Sequence, residues 1–271
     1  ARPVVEMKGI GVVFPGVRAL DGVDFSLRAG EVHALMGENG AGKSTLIKAL
    51  TGINSLASGT ITVLGEDYRP SGPEDAEDHG IATVYQEVNL CPNMTVAENV
   101  MLGHEIHKGP FIDWRATRRV AAENLRRMHL EIDPRSQLSS HTIAVQQLCA
   151  IARALVSDAK VLILDEPTSS LDPGEVEQLF TVVRELRDQG VAILFVSHFL
   201  DQVYEISDRM TVLRNGKFIG EYPTKDLDRR DLISAMVGHT IDSLAAIETS
   251  AQEAADAAAA PSTFMRAEGV G

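Results

Sequence analysis

The sequence predicts an α/β fold whose core is a parallel sheet, with an antiparallel β layer beside the sheet and a helical subdomain inserted into it. Four short segments are continuously apolar rather than alternating, which is typical of strands that are covered on both faces. They are residues 31–36, 81–85, 161–164 and 192–196. Helical patterns separate these segments along the chain, and this order favours parallel strands joined by crossover helices.

Other segments alternate between apolar and polar residues, as strands with one solvated face do. These are residues 3–14, 23–27 and 60–64. Asn215 and Gly216 stand between two further strand-like runs, at 211–213 and 217–219, and an Asn-Gly pair in this position predicts a β-hairpin. We therefore expect antiparallel strands that flank the parallel sheet.

The β signal disappears between residues 95 and 157, where the pattern becomes helical. Val120, Leu125 and Met128 stand at helical spacing among arginines and glutamates within residues 115–130. We therefore expect residues 95–157 to form a helical subdomain that is inserted into the α/β core.

The end of the chain differs in composition from the rest. Residues 243–260 are rich in alanine and Pro261 follows them, which predicts a linker or a loosely held helix. The last residues, 264–271, echo residues 6–11 after one insertion. We expect one domain at 1–242, and a segment 243–271 that holds the linker and, if the echo is more than chance, the start of a second repeat.

The composition argues against several classes of protein. The 271 residues carry a net charge of −13, so a nucleic-acid backbone is not the expected main partner. No apolar run reaches the roughly 18 to 20 residues of a membrane-spanning helix, and no secretion signal is visible, which favours a cytoplasmic location. Cys91 and Cys149 lack the spacing of a zinc site or a disulfide framework, so we expect two buried free thiols.

The segment after residues 31–36 fits the pattern G-x-x-x-x-G-K-[ST] of a phosphate-binding loop. Its residues are Gly37, Glu38, Asn39, Gly40, Ala41, Gly42, Lys43, Ser44 and Thr45. The loop lies between an apolar strand and a helical segment, which is the context that phosphate binding requires. The expected core is therefore that of a P-loop NTPase, a RecA-like sheet. The alternative is a glycine-rich turn with a solvated lysine.

Each residue type in this loop suits a nucleoside triphosphate. Glycines let successive backbone N–H groups curl around the α- and β-phosphates, and the helix N-terminus adds roughly half a positive charge. Lys43 supplies a cation for the β- and γ-phosphate oxygens, and the hydroxyl of Ser44 is the expected Mg²⁺ ligand. We therefore expect ATP and Mg²⁺ to bind at this loop.

Polar side chains follow the other apolar segments at their carboxyl ends, namely Gln86, the pair Asp165 and Glu166, and His198. Ligands bind at this edge of open α/β sheets, so these side chains are expected to converge with Lys43 on one γ-phosphate. Asp165 is expected to hold Mg²⁺, and Glu166 to polarise the attacking water. Taken singly, an acidic pair after a strand favours a helix cap, and a histidine there favours a structural hydrogen bond.

Together these motifs resemble the nucleotide-binding domain of ABC transporters over residues 4–240. The matching motifs are Walker A at 37–45, the Q-loop at Gln86, Walker B at 161–166, the D-loop at 169–172 and the switch histidine at His198. The resemblance implies an ATPase in which Glu166, His198 and Gln86 act in hydrolysis. It also implies that Ser44, Gln86 and Asp165 surround the metal. Phe14 would be the aromatic that stacks on adenine, and the alternative for Phe14 is a core position.

The sequence departs from the family pattern at the LSGGQ signature, which in the family covers the partner's ATP across a head-to-tail dimer. Alignment on the glutamines that follow puts residues 141–145 in its place. Thr142 keeps a hydroxyl for the γ-phosphate, whereas Ile143 and Ala144 add side chains where glycines normally approach it. Closure on nucleotide is therefore expected to be weaker or asymmetric. The alternative is a helix start without any nucleotide contact.

Residues around the motifs resemble the carbohydrate-importer branch, whose monosaccharide ATPases commonly carry two such domains in one polypeptide. These residues are 14–20, 37–40, 85–90 and 146–147. The branch implies the N-terminal half of a tandem protein that energises sugar import. Its partners would be permease transmembrane subunits on the inner face of the plasma membrane, a second ABC domain and, indirectly, a periplasmic or extracellular sugar-binding protein. The alternatives are a regulatory or weakly active half of an asymmetric pair, and a soluble ABC ATPase without a transport role.

Overall fold

The computed structural model describes residues 3–85 and 90–238. Within them the chain forms twelve strands and eight α-helices, numbered in chain order. The strands are β1 (Pro3–Phe14), β2 (Val17–Arg28), β3 (Val32–Met36), β4 (Ser58–Val63), β5 (Glu66–Tyr68), β6 (Ile81–Val84), β7 (His107–Lys108), β8 (Phe111–Ile112), β9 (Val161–Asp165), β10 (Ala192–Val196), β11 (Arg209–Arg214) and β12 (Lys217–Pro223). The helices are α1 (Lys43–Leu50), α2 (Pro73–Asp78), α3 (Val96–Val100), α4 (Trp114–Arg127), α5 (Ile143–Val156), α6 (Pro173–Asp188), α7 (Leu200–Ile206) and α8 (Arg229–Val237).

Six strands form the central sheet, in the order β12-β11-β3-β10-β9-β6. The five strands from β11 to β6 are parallel, and β12 pairs antiparallel with β11 at one edge. The four continuously apolar segments of the sequence form β3, β6, β9 and β10, each within one residue of its expected bounds. The parallel α/β core of a P-loop NTPase is therefore confirmed.

Apolar packing on both faces of this sheet explains why its strands do not alternate. Leu162 and Leu164 of β9 lie in a core cluster with α5 and α6, whereas Val161 and Ile163 lie in a second cluster with α1 and the antiparallel strands. Successive side chains of a strand point to opposite faces, so each face of β9 requires its own apolar residues. All four side chains are fully buried, and each such burial stabilises the fold by about 1.5–3 kcal/mol.

A separate antiparallel sheet, in the order β2-β1-β4-β5, confirms the expected β layer. Leu46, Ile47 and Leu50 of α1 are buried in the core cluster that this sheet shares with the central sheet. The hairpin at Asn215 and Gly216 forms as expected, but it extends the edge of the central sheet rather than joining this layer. The short elements β5 and α2 had no clear sequence signal because most of their residues are polar and exposed.

Helices α3, α4 and α5 form the helical region, between residues 96 and 156. Thr117, Ala121 and Leu125 are the buried residues of α4, whereas Val120 is only partly buried. We expected no β structure in this region. That expectation is wrong in one detail, because β7 and β8 form a hairpin with two residues in each strand. Strands this short contain too few residues to show an alternating pattern.

Two other expectations have different outcomes. Cys149 is buried as expected and burial raises the pKa of its thiol to about 12, but Cys91 is exposed. The prediction of two buried thiols is therefore half wrong. The alanine-rich linker and the terminal echo, at 243–271, lie outside the described residues.

A buried ionic cluster joins the amino-terminal ends of β3 and β11 to the antiparallel sheet. Arg209 is 7% exposed, and its guanidinium donates to Oε1 of Glu31 at 2.8 Å, to the carbonyl of Ser26 at 3.1 Å and to the carboxylate of Glu221. Burial alone would raise the pKa of Glu31. The nearby His33 imidazole, the Arg209 guanidinium and a backbone N–H outweigh burial and lower that pKa from 4.5 to about 2.

We expect Arg209→Met to lower the free energy of unfolding by about 3–5 kcal/mol, because it leaves the buried carboxylate of Glu31 without its cation. Urea unfolding followed by circular dichroism measures the loss. The matched control is Arg229→Met, since Arg229 pairs with Asp201 on the surface and its side chain is 57% exposed. The control should lose at most about 1 kcal/mol.

The same cluster predicts an acid dependence. The pKa of Glu31 is lower in the folded than in the unfolded chain, so its stabilising contribution is present above about pH 4.5 and is lost as the pH falls towards about 2. This part of the acid dependence should shrink in Arg209→Met and persist in Arg229→Met. Equal losses of stability in the two variants would contradict the assignment.

Candidate functional site

The phosphate loop joins the carboxyl end of β3 to the start of α1. Gly42 is the N-cap of α1 with φ +106°, and Gly37 has φ +150°. A Cβ on Gly37 would lie 2.4 Å from the carbonyl oxygen of Leu213, and one on Gly42 would lie 2.7 Å from Leu20. Gly37 is therefore needed sterically, because its neighbour is backbone, whereas Gly42 is needed for its left-handed φ. They allow a tight turn that leads directly into α1, where the first backbone N–H groups of the helix have no partner within the helix.

Lys43 is the first residue of α1, and its side chain folds back over the loop. The ammonium donates to the carbonyl oxygens of Gly37 at 2.7 Å and Glu38 at 3.1 Å. Burial lowers the pKa of Lys43, and the negative charges of Glu166 and Asp165 act against that shift. The lysine therefore lies within electrostatic reach of both carboxylates at the end of β9.

These two carboxylates, the acidic pair Asp165 and Glu166, lie where β9 ends. Glu166 has φ +51°, a conformation that is uncommon outside glycine, and its N–H donates to the carbonyl of Val196 at 2.9 Å. This hydrogen bond ties the turn to the end of the neighbouring strand β10. Burial and the adjacent charge of Glu166 raise the pKa of Asp165, while Lys43 opposes the shift.

His198 lies directly against this pair. Its Nδ1 is 2.8 Å from Oε2 of Glu166, and the histidine side chain is 62% exposed whereas that of Glu166 is 16% exposed. The angles are not those of a hydrogen bond, so within the described residues Oε2 is a buried acceptor without a hydrogen-bond partner. A protonated His198 would form an ion pair here, and a bound donor such as water would satisfy the free oxygen.

An open pocket of about 520 Å³ brings most of the expected site together. It is lined by Val17, Arg18, Ala19, Asn39, Gly40, Gly42, Lys43, Ser44, Thr45, Asp165, Glu166, Val196, Asn215 and Gly216. His198 reaches this pocket only through Glu166, and Gly37, Glu38 and Ala41 support the loop without lining the pocket. Gln86 lies outside the described residues.

The sequence did not indicate one side of this pocket. Val17, Arg18 and Ala19 at the start of β2 line it, together with the turn of the β11–β12 hairpin. That turn is fixed to the phosphate loop, because Gly216 donates its N–H to the carbonyl of Ala41 at 3.0 Å. Asn215 and Gly216 were visible in the sequence only as a turn, and in the first strands only Phe14 was expected to contact the nucleotide, not Val17, Arg18 or Ala19.

Phe14 does not line the pocket, although it pairs with Val17 across the turn between β1 and β2. Its side chain is 42% exposed, so the alternative of a core aromatic is wrong. Stacking of Phe14 on adenine stays a prediction.

The segment that replaces the signature, residues 141–145, forms the start of α5. Thr142 is the N-cap, and its hydroxyl accepts from the N–H of Val145 at 3.4 Å. Ile143 is 48% exposed, whereas Ala144 is 4% exposed and packs into the core. Of the two residues that replace glycines, only Ile143 therefore adds an exposed side chain at this end of the helix, and the expectation that Ala144 also obstructs it is wrong.

The pocket contains donors of the kind that Mg²⁺ prefers. Ser44 and Asp165 both line it, and the Ser44 hydroxyl makes no hydrogen bond to any residue in the described part of the chain. Asp165 is a half-buried carboxylate beside a second negative charge, an arrangement that a divalent cation stabilises. Among the helices of residues 3–85 and 90–238, none combines the length and apolar character needed to cross a bilayer.

Comparisons with known proteins agree with this geometry. The family model described as ABC transporter matches residues 20–169, which include the phosphate loop and the acidic pair. The fructose import ATP-binding protein of Bifidobacterium longum is 62% identical over 247 residues, covering 90% of this chain and 48% of that protein. The galactofuranose transporter ATP-binding protein of Escherichia coli K12 is 50% identical, covering 88% and 48%. The chain thus spans about half the length of the curated relatives it matches.

Solved structures give the same fold. The ADP conformation of an ATP-binding cassette of an ABC transporter superposes with a TM-score of 0.77 at 26% identity, over 88% of this chain and 100% of the other. The structure of cbiO1 from Clostridium perfringens, described as part of the ABC transporter complex cbiONQ, superposes with a TM-score of 0.73 at 27% identity, over 83% of this chain and 90% of the other. On the family match, the fold and the arrangement of the phosphate loop with the acidic pair, the chain belongs to the ABC transporter family.

Proposed function

We propose that this chain binds ATP with Mg²⁺, hydrolyses the ATP and thereby energises import of a sugar through an ABC permease. The observation that carries the proposal is the pocket in which Lys43, Ser44, Asp165 and Glu166 meet at the carboxyl edge of the central sheet. A cation, a hydroxyl and two carboxylates around a tight loop are the groups that phosphoryl transfer to water requires.

The phosphates of ATP would lie on the loop at the start of α1. Free backbone N–H groups and the helix dipole favour their negative charge at this position. Lys43 would leave the carbonyl oxygens of Gly37 and Glu38, which it contacts without ligand, and would bind the β- and γ-phosphate oxygens. Phe14 would lie near the adenine, at the turn beside the pocket residue Val17.

Ser44 and Asp165 would hold Mg²⁺, and Gln86 is the proposed third residue near the metal. The ion, when bound, would neutralise negative charge that develops on the phosphate oxygens. Its positive charge would also oppose the two effects that raise the pKa of Asp165, which are burial and the adjacent charge of Glu166.

Glu166 would orient and polarise the water that attacks the γ-phosphate. Its Oε2 is buried without a hydrogen-bond partner in the described chain, so this oxygen is free to accept from such a water. His198 would help to position the Glu166 carboxylate, because its Nδ1 lies 2.8 Å from that oxygen. The backbone bond from Glu166 to Val196 fixes the turn that aims the carboxylate.

The names of the relatives support a sugar as the transported substrate, since they include fructose import and ribose import ATP-binding proteins. Permease subunits and a second ABC domain are the proposed partners, with a sugar-binding protein acting outside the membrane. The chain would lie on the inner face of the plasma membrane through the permease. A tandem polypeptide with two such domains agrees with relatives about twice as long as the matched region.

Copurification of the chain with a permease tests the proposed role in transport, and copurification with ribosomes or DNA instead would contradict that role.

One observation favours a second candidate, the weakly active half of an asymmetric pair. The exposed Ile143 stands at the start of α5, where the family pattern has glycine and another cassette's ATP would approach. A side chain there would hold the second cassette away from the helix start. Thr142 keeps its hydroxyl but uses it to cap its own helix.

We expect Glu166→Gln to lower the rate of phosphate release by about two to four orders of magnitude while ATP still binds, because the carboxylate that activates water is lost. Phosphate release is measured in the complex reconstituted with its permease, and binding is measured with a fluorescent ATP analogue. The control is Glu66→Gln, an exposed substitution in β5. Full turnover in Glu166→Gln would remove this residue from its proposed role.

Lys43→Met should weaken ATP binding about ten- to a hundredfold, since a charged hydrogen bond to phosphate is worth about 1.5–3 kcal/mol. The matched control is Lys225→Met, which removes a lysine from the short helix Thr224–Asp226 and does not line the pocket. Titration of the full chain with ATP and Mg²⁺ measures both affinities. Equal affinities in the two variants would place the phosphates away from Lys43.

Ile143→Gly should raise ATP hydrolysis by the assembled complex several-fold if this side chain limits closure. The control is Ile233→Gly in α8, because Ile233 is 37% exposed and a glycine there has a similar cost of about 1 kcal/mol in a helix. Steady-state turnover of both variants is compared with the unmodified chain at saturating ATP. A rate that stays the same or falls in Ile143→Gly would contradict the steric explanation.

A further inference from the structure

The outer face of α4 carries arginines that the nucleotide pocket does not use. Arg115, Arg118 and Arg119 stand at positions i, i+3 and i+4 of this helix, so they share one face. Arg135 reaches the same place from the loop that follows α4. These four arginines, with Asp133 and Pro134, line an open groove of about 570 Å³, which we call the arginine groove.

The positive charge of the arginine groove is only partly offset inside the described chain, where Arg115 interacts electrostatically with Asp113 and Arg118 with Glu98. None of its four guanidiniums forms an ion pair within residues 3–85 and 90–238. The nearest acids are engaged with backbone N–H groups. Asp113 caps the first turn of α4, and Asp133 accepts from the N–H of Arg135 at 2.9 Å. In a chain of net charge −13, four unpaired arginines on one face point to an anionic partner.

Exposed apolar side chains precede these arginines in the chain. Leu102, Ile106, Phe111 and Trp114 are each between 37% and 75% exposed, and Phe111 of the β7–β8 hairpin is the most exposed of them. Trp114 is the first residue of α4 and the neighbour of Arg115. Arginines beside exposed aromatic side chains are typical of surfaces that lie at a membrane interface.

We propose that the arginine groove, together with Phe111 and Trp114, binds the anionic phospholipid surface of a membrane. The guanidiniums would contact headgroup phosphates, for which their planar fork of donors is well suited. The two aromatic rings would enter the boundary between headgroups and acyl chains. None of these residues lines the nucleotide pocket, so this inference does not depend on the proposed ATPase function.

A membrane surface fits these observations better than other sources of phosphate. A free phosphate ion would use the arginines but would leave the exposed rings of Phe111 and Trp114 in water. A nucleic acid would use the arginines but would leave in water the aliphatic Ile106, whose backbone hydrogen-bonds to Asp113 and Thr117 at the start of α4. A lipid surface presents many phosphates at once and also accepts apolar side chains. It can therefore contact both the arginines and the exposed aromatic side chains.

Binding to vesicles of defined composition tests the proposal on the full chain. Sedimentation is compared for vesicles of phosphatidylcholine alone and for vesicles that also contain phosphatidylglycerol. Trp114 is the single tryptophan of the chain, so its emission reports on the proposed contact directly. We expect binding to the anionic vesicles only, a shift of the tryptophan emission to shorter wavelength, and release of the protein at high salt.

The combined variant Arg115→Gln, Arg118→Gln, Arg119→Gln should partition into anionic vesicles about a hundredfold more weakly than the unmodified chain. The control removes three exposed arginines outside α4, at Arg69, Arg229 and Arg230, and therefore has the same net charge. Thermal unfolding verifies that both variants fold. Phe111→Ser should weaken the part of the binding to anionic vesicles that persists at moderate salt.

Three outcomes would overturn the proposal. They are equal binding by the two triple variants, binding to vesicles without any shift in the emission of Trp114, and binding to duplex DNA in place of vesicles. Glu166→Gln is expected to bind vesicles normally, so a failure of the ATPase proposal and a failure of this inference remain distinguishable.

Discussion

The parallel register of β3, β10 and β9 is the constraint on which the rest of the site depends. β10 lies between the other two strands, and Val196 at its end stands beside Asp165 at the end of β9. Loops that leave parallel strands at the same edge must start close together. The pairing of the strands is therefore enough to bring residues that are distant in sequence into one site. The bond from Glu166 to the carbonyl of Val196 extends this register by one residue into the site.

Stability and chemistry are separated along the same strands. The amino-terminal ends of β3 and β11 hold the buried ion cluster of Arg209 and Glu31, whose charges are compensated within the chain. The carboxyl ends hold two adjacent carboxylates, where burial and the charge of Glu166 raise the pKa of Asp165. A fold can tolerate incomplete pairing at one edge when apolar packing and ion pairing stabilise the remainder.

The sequence predicts the central sheet well because its strands are apolar on both faces and their loops carry a recognisable phosphate motif. It predicts poorly where the signal depends on tertiary contact. Val17, Arg18 and Ala19 line the pocket only because the β11–β12 turn and the first hairpin fold against the phosphate loop. The burial of Ala144 follows from the orientation of α5, which helical spacing alone does not fix. The role of Gln86 and the linker and repeat expected within residues 239–271 stay predictions, because these residues lie outside the described structure.

The central claim is that the carboxyl edge of the sheet binds ATP through the phosphate loop and the acidic pair. A crystal structure of the chain with a non-hydrolysable ATP analogue and Mg²⁺ tests it most directly. We expect the ammonium of Lys43 to bind the γ-phosphate, the metal to lie between Ser44 and Asp165, and a water to lie on the free carboxylate oxygen of Glu166. An analogue bound elsewhere, or phosphates that leave Lys43 on the carbonyls of Gly37 and Glu38, would contradict it.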